Sequence, residues 1–167
     1  AEGITKSMGL GMIGYADAFK RLSPDLLVIL GDRYEMLSIA STALIFRIPI
    51  AHIHGGELTE GAYDDAIRHA ITKMSALHFT STEAYRQRVI QLGEHPERVF
   101  NVGAIGLDNF QSLQLLSKTD LEEDLHIMFH KYNYLVGFHP ETLSDQSVEE
   151  QFEALLQAID MQADSFF

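Results

Sequence analysis

The chain contains no cysteine, which excludes a disulfide framework and thiolate chemistry and leads us to expect a cytoplasmic protein. Basic residues are few: 12 Lys and Arg stand against 24 Asp and Glu, for a net charge of −12. Nucleic-acid backbones are held by clustered cations, so no nucleic-acid partner is expected. An anionic small molecule is compatible with this charge, because a few local arginines and helix N-termini can hold a diphosphate inside an acidic protein. No apolar run is long enough to span a bilayer, and no membrane partner is expected. The first residues, Ala1 to Lys6, lack the pattern of a signal peptide and an initiator Met. Repeats and low-complexity tracts are absent. What is present is globular in composition: 46% hydrophobic and 22% charged over 167 residues. That is one ordinary domain, or one domain with part of a second.

Helix-like and strand-like segments alternate, which reads as α/β with a parallel sheet. Helices are expected over residues 5–22, 34–46, 64–75, 82–92 and 104–116. Short buried strands are expected over 26–30, 50–53, 77–80 and 99–102. Within the second helix, Met36, Leu37, Ala40, Ala43 and Leu44 have helical spacing; Ser81 or Thr82 suits an N-cap. Residues 117–132 are polar and acidic and read as a linker. A further strand, Tyr134 to Phe138, leads to His139-Pro140, and a helix from about Ser147 to Asp160 follows. The expected domains are therefore a partial N-terminal one over 1–116, the linker, and the start of another over 133–167. A lone βα unit cannot bury its own apolar face, so the chain is expected to be a fragment of a longer protein. Apolar surface left open by missing strands should drive association into a homo-oligomer.

Gly9, Gly11 and Gly14 match G-x-G-x-x-G, but no strand precedes them as a dinucleotide site requires; close helix packing is the expected role. Gly31-Asp32-Arg33 follows a good strand. In open α/β sheets the ligand crevice lies outside the carboxyl ends of the strands, so Asp32 and Arg33 are candidates. The next strand delivers His52, His54, Gly55, Gly56 and Glu57 to the same edge. Period-two alternation puts His52 and His54 on one side. That arrangement admits a metal pair completed by Glu57 or Asp64, an imidazole working on substrate, or structural histidines bonded to backbone. On the following helix Ile67, Ala70, Ile71 and Met74 form the expected buried stripe. Asp64 with Arg68, and Asp65 with His69, are i,i+4 pairs beside it. Carboxylates at a helix start next to a strand-tip cleft suit acid–base work. His78, His95, His126 and His130 lack such context.

Taken together, these motifs resemble the bacterial hydrolysing UDP-N-acetylglucosamine 2-epimerases of sialic- and legionaminic-acid biosynthesis. The resemblance rests on Pro24-Asp25, Gly31 to Glu35, Ile48 to Glu57, Asp64 to Lys73, Val102 to Ala104 and His139 to Leu143, in that order and spacing. It covers nearly the whole chain and implies a GT-B-like fold of two Rossmann-like domains with the site between them, truncated here at both ends. It also implies the reaction: C2 deprotonation, elimination of UDP to a glycal, and water addition to give the free 2-epimer, with no metal or other cofactor.

By the resemblance Asp32 matches the first catalytic carboxylate, Asp64 the acid at the helix start, Arg68 its arginine partner and His139 an imidazole facing UDP. Arg33, Glu57 and His69 are the expected substrate-binding positions. Many relatives carry glutamate where this chain has His54. An imidazole, with an ordinary pKa of about 6.5, suits a base at neutral pH, and Glu57 is the other candidate. Three further readings stand beside the first: an inert sugar-nucleotide-binding fragment, a non-hydrolysing epimerase, and a metal-dependent hydrolase using His52 and His54.

Overall fold

The structure, a computed structural model, describes residues 1–140 and 144–161, the side chain of Gln111 excepted. The chain divides into two units, residues 1–111 and 112–167.

In the first unit, four short strands alternate with helices: α1 (Glu2–Leu22), β1 (Leu27–Leu30), α2 (Tyr34–Phe46), β2 (Ile50–Ile53), α3 (Asp64–Met74), β3 (Leu77–Thr80), α4 (Glu83–Gln91) and β4 (Val99–Asn101). A turn of 3-10 helix at Ile105–Leu107 leads into α5 (Asp108–Ser112). The strands form one parallel sheet in the order β1-β2-β3-β4. Helical crossovers between successive strands are what parallel pairing demands, so the expected α/β class, a Rossmann-like parallel sheet flanked by helices, is the observed one.

Register assigns each residue to a face. Ile29, His52 and His78 are lateral neighbours, as are His78 and Val99. With Ile50 and Thr80 these side chains are buried on the face where α2, α3 and α4 pack. Helix α1 packs on α2, where Phe19 meets Phe46 edge-on with ring centroids 5.8 Å apart. The opposite face carries Val28 and Leu30, 59% and 52% exposed, and the stacked pair Phe79–Phe100, centroids 5.5 Å apart. Parallel sheets are ordinarily covered on both faces; among the described residues this one is covered on one.

Several local expectations change. In α3 the buried residues are Arg68, Ile71 and Thr72, whereas Ala70 is exposed. The polar members find partners across the fold, which apolar periodicity does not register. In α2, Ala40 and Ala43 are buried as expected, but so are Ser38 and Thr42, and Leu44 is exposed. Of the three motif glycines in α1, only Gly11 lies near a neighbouring helix: a Cβ there would sit 3.9 Å from Ser38 Cβ, while Gly9 and Gly14 face open space. The helix expected over 104–116 is confined to 105–112.

The second unit contains α6 (Lys118–Leu125) and α7 (Val148–Asp160). Helix α6 lies inside the segment read as a linker. Its N-cap Ser117 accepts from Asp120 N–H at 3.2 Å. The strand expected at 134–138 does not form: this stretch is irregular and mostly exposed, and it is not part of the four-stranded sheet. Helix α7 begins with a capping box between Ser147 and Glu150, as its sequence suggests. No described residue of this unit is buried.

Candidate active site

Beyond β1, Gly31 takes a left-handed φ of +75°, and its N–H bonds to Ile53 O at 3.0 Å. This turn holds Asp32 at the strand tip. Arg68, on the buried side of α3 and only 5% exposed, forms an ion pair with Asp32 through Nη2. The same nitrogen donates to Thr59 Oγ1 at 2.8 Å, and Nη1 lies 3.7 Å from Asp65 Oδ1. Thr59 N–H in turn donates to Asp65 Oδ1 at 3.3 Å. The i,i+4 pairing expected between Asp64 and Arg68 is therefore replaced by a long-range pair, with Asp65 as the neighbour on the helix. Buried cations need buried partners, and the Asp32 carboxylate supplies one.

The Asp32 carboxyl sits above its ordinary range. Burial raises it most, Arg68 lowers it, and the charge of Asp64 raises it further. Asp64 thus acts on Asp32 through its field. Two acids near one arginine make a site in which a proton is easily retained.

His52 and His54 have different surroundings. His52 is fully buried; its Nε2 donates to Gly31 O at 2.8 Å, and Thr72 Oγ1 lies 3.2 Å from Nδ1. Donation from Nε2 leaves Nδ1 as the acceptor of the threonine hydroxyl. Burial lowers its pKa to about 4, so it is neutral and both nitrogens are occupied. Neither is available to a metal, and among the described residues no three metal-ligating side chains gather. A Cβ on Gly55 would lie 3.1 Å from both His52 Nδ1 and Thr72 Oγ1, so a side chain there would crowd this bond.

His54 lies one residue past the end of β2 and has a left-handed φ of +66°. Strand alternation does not extend to it, and the expected shared side for the two imidazoles is lost as a strand property. Its N–H bonds to Phe79 O at 2.8 Å. The ring Nδ1 is 2.8 Å from Glu57 Oε1, and Ser81 donates to the same oxygen at 2.6 Å. Gly56, at φ +81°, allows this loop to lie against α4: a Cβ there would stand 2.5 Å from Tyr85 O. Arg88 also donates to the Gly56 carbonyl.

Leu30, Gly31, Asp32, His54, Glu57, Arg68, Ile105 and Gly106 line one cleft of about 480 Å³. Of the sequence candidates, Asp32, His54, Glu57 and Arg68 are brought together here. Asp64 flanks the group. His69 is on the same helix, its Nε2 3.5 Å from Asp65 Oδ2. Arg33 is exposed and engaged with Glu35, Nη2 to Oε1 at 3.0 Å. His139 belongs to the second unit, where it is exposed; Glu141, Thr142 and Leu143 lie outside the described residues. Sequence reasoning missed Thr59, Thr72 and Ser81. Each is a hydroxyl answering a buried or paired group, and only the fold shows which one it answers.

Residues 1–167 match the family described as UDP-N-acetylglucosamine 2-epimerase. The chain belongs to that family. It is 48% identical over 157 residues to a GDP/UDP-N,N'-diacetylbacillosamine 2-epimerase (hydrolyzing) of Campylobacter jejuni, covering 94% of this chain and 41% of the relative. It is 50% identical over 156 residues to the Escherichia coli polysialic acid biosynthesis protein P7, covering 93% and 40%. The S. aureus MnaA–UDP co-structure shares the fold, with a TM-score of 0.75 at 18% identity over 95% of this chain and 43% of that one. So does the UDP-GlcNAc 2-epimerase from Neisseria meningitidis bound to UDP-GlcNAc, with a TM-score of 0.68 at 19% identity over 78% and 38%. The chain thus spans about two fifths of the length of the curated relatives it matches. Among the described residues no helix is long and apolar enough to cross a membrane.

Proposed function

We propose that these residues form part of the active site of a hydrolysing 2-epimerase acting on UDP-N-acetylglucosamine or a related UDP-2-acetamido sugar. The observation that carries the reading is the strand-tip cleft in which Asp32, paired with a buried Arg68, shares a wall with His54. Names of the relatives support the substrate class: those from C. jejuni and Legionella pneumophila are hydrolysing 2-epimerases of UDP-N,N'-diacetylbacillosamine, the former also of its GDP counterpart.

In this reading a base takes the proton from C2 of the sugar. The C–H electron pair becomes the C1–C2 double bond, and the C1–O bond to UDP breaks with its pair on the diphosphate. Water then adds its oxygen to C1, and a proton returns to C2 from the other face. His54 suits the base, because a neutral imidazole accepts a proton near pH 7. Asp32 suits the group that returns a proton, since its carboxyl holds one more readily than usual. Burial supplies most of that elevation and the charge of Asp64 adds to it, while Arg68 holds the Asp32 carboxyl in place. Arg33 and His69 are assigned to substrate, and His139 to UDP from a second domain beginning near residue 133.

The chain's share of its relatives' length favours a second reading, in which these 167 residues bind the sugar nucleotide without turning it over. The test is UDP release from UDP-N-acetylglucosamine by this chain and by one extended to the relatives' length. We expect release by the extended chain, and at least about 100-fold less from its Asp32→Asn variant. Undiminished release by that variant would remove Asp32 from the mechanism. The open sheet face with Val28, Leu30 and Phe100 supports self-association into a dimer or larger; light scattering that returned a monomer mass would reject it.

A further inference from the structure

The cleft contains a contact that the epimerase reading does not use. His54 Nδ1 and the Ser81 hydroxyl both meet one oxygen of Glu57, Oε1, at 2.8 and 2.6 Å. Ser81 lies immediately before Thr82, the N-cap of α4, on the far side of the sheet order from Asp32. His54 Nε2 is buried and has no hydrogen-bond partner among the described residues, on a ring that lines the cleft.

We propose that Glu57, its carboxylate held by the Ser81 hydroxyl, is a positioning residue which fixes His54 as the Nδ1–H tautomer and leaves the lone pair on Nε2. The argument follows from donor and acceptor chemistry. An ionised carboxylate only accepts, so a neutral His54 must donate Nδ1–H to Glu57, which places the lone pair on Nε2. Histidine tautomers are set by what the other ring nitrogen bonds to. A lone His54–Glu57 contact would allow the carboxylate to rotate and present either oxygen. The Ser81 hydroxyl, itself only able to donate to this acceptor, selects Oε1 and holds it.

The backbone is arranged for the same end. His54 occupies the left-handed region at φ +66°, a conformation that non-glycine residues adopt only when their surroundings hold them there. Gly56 is pressed against α4 so closely that a Cβ would meet Tyr85 O at 2.5 Å. Together these place residues 54 and 57 on one side of the turn, within reach of Ser81. When Nε2 takes a proton, the imidazolium that forms is already bonded to a carboxylate, which stabilises it. Glu57 therefore serves the imidazole rather than the sugar.

The assignment of a base rests on the epimerase reading; the tautomer does not, and this separates the two tests. Long-range proton–nitrogen correlation spectra of the histidine-labelled 167-residue chain report which ring nitrogen of His54 carries hydrogen. We expect Nδ1–H in the native chain and in Ser81→Ala, where either Glu57 oxygen still accepts it, and a mixed or Nε2–H ring in Glu57→Ala. A native Nε2–H ring, or a tautomer unchanged in Glu57→Ala, overturns the proposal. In the chain extended to the relatives' length, Ser81→Ala should lower kcat for UDP release about tenfold with KM nearly unchanged, since only part of a base's contribution is lost. Ser81→Thr should restore most of it. A fall confined to KM would assign Glu57 and Ser81 to substrate binding and overturn the relay. Silence of the unsubstituted extended chain would count against the epimerase reading, and the spectra would still decide the tautomer.

Discussion

His52 carries a pH dependence whose sign can be worked out. Its folded pKa is lowered to about 4 from an unfolded value of about 6.5. The neutral, buried ring contributes stability that is fully present above pH of about 6.5 and is lost as pH falls through about 4, some 3 kcal/mol in all. Buried His78, also lowered by desolvation, adds in the same direction. Urea unfolding between pH 7 and 4 should therefore show a loss of stability that is clearly smaller in His52→Asn. An identical slope in the variant would mean that the ring is not buried neutral. Asp32 acts with the opposite sign to an ordinary aspartate. Its folded pKa is raised, so its contribution is present below the unfolded value and is lost as pH rises through the folded one. Asp32→Asn should still fold near pH 7 while losing turnover, though less stably than the native chain, because Asn keeps an acceptor for the buried Arg68 but not its counter-charge. At this scale the residue types were legible in the sequence and their partners were not. Asp32 and Arg68 stand out as a strand-tip acid and a helix arginine, but 36 positions separate them, and no periodicity pairs them. His52 and His54 look alike in sequence. One ends bonded to backbone and Thr72, the other past the strand end in the cleft.

The turns that follow β1 and β2 are the elements on which the cleft depends, and their glycines are not equivalent. Gly56 combines φ +81° with a Cβ that would stand 2.5 Å from a backbone oxygen and 2.8 Å from Val89 Cγ2. Gly31 has φ +75° and nothing within 4 Å. Gly31→Ala should cost about 1 kcal/mol, the backbone term alone. Gly56→Ala should cost more, about 2–4 kcal/mol, because overpacking adds to it. Urea midpoints for the two variants compare them directly, and equal losses would show that the loop relaxes away from α4. The strands and helices from residue 26 to 92 were readable because short apolar runs alternate with amphipathic segments and end in glycine or a cap. Two elements were not. Helix α6 has only Leu121 and Leu125 as apolar residues, too few for a clear stripe, and the Ser117 cap is its main signal. The stretch 134–138 has strand composition, but composition does not provide the neighbour that a strand pairs with.

For the whole molecule, every buried residue among those described belongs to the first unit. A chain ending at Gln111 should therefore unfold within about 0.5 kcal/mol of the full one; a larger loss would show that the second unit stabilises the first. The epimerase reading predicts a product as well as a site, and isotopes follow it. The measurement is turnover of UDP-N-acetylglucosamine in deuterated water by the chain extended to its relatives' length. The account predicts one UDP for each free sugar released, the sugar inverted at C2 and carrying one deuterium there. A UDP-linked epimer without free sugar, or a free sugar with its original C2 hydrogen, would contradict it.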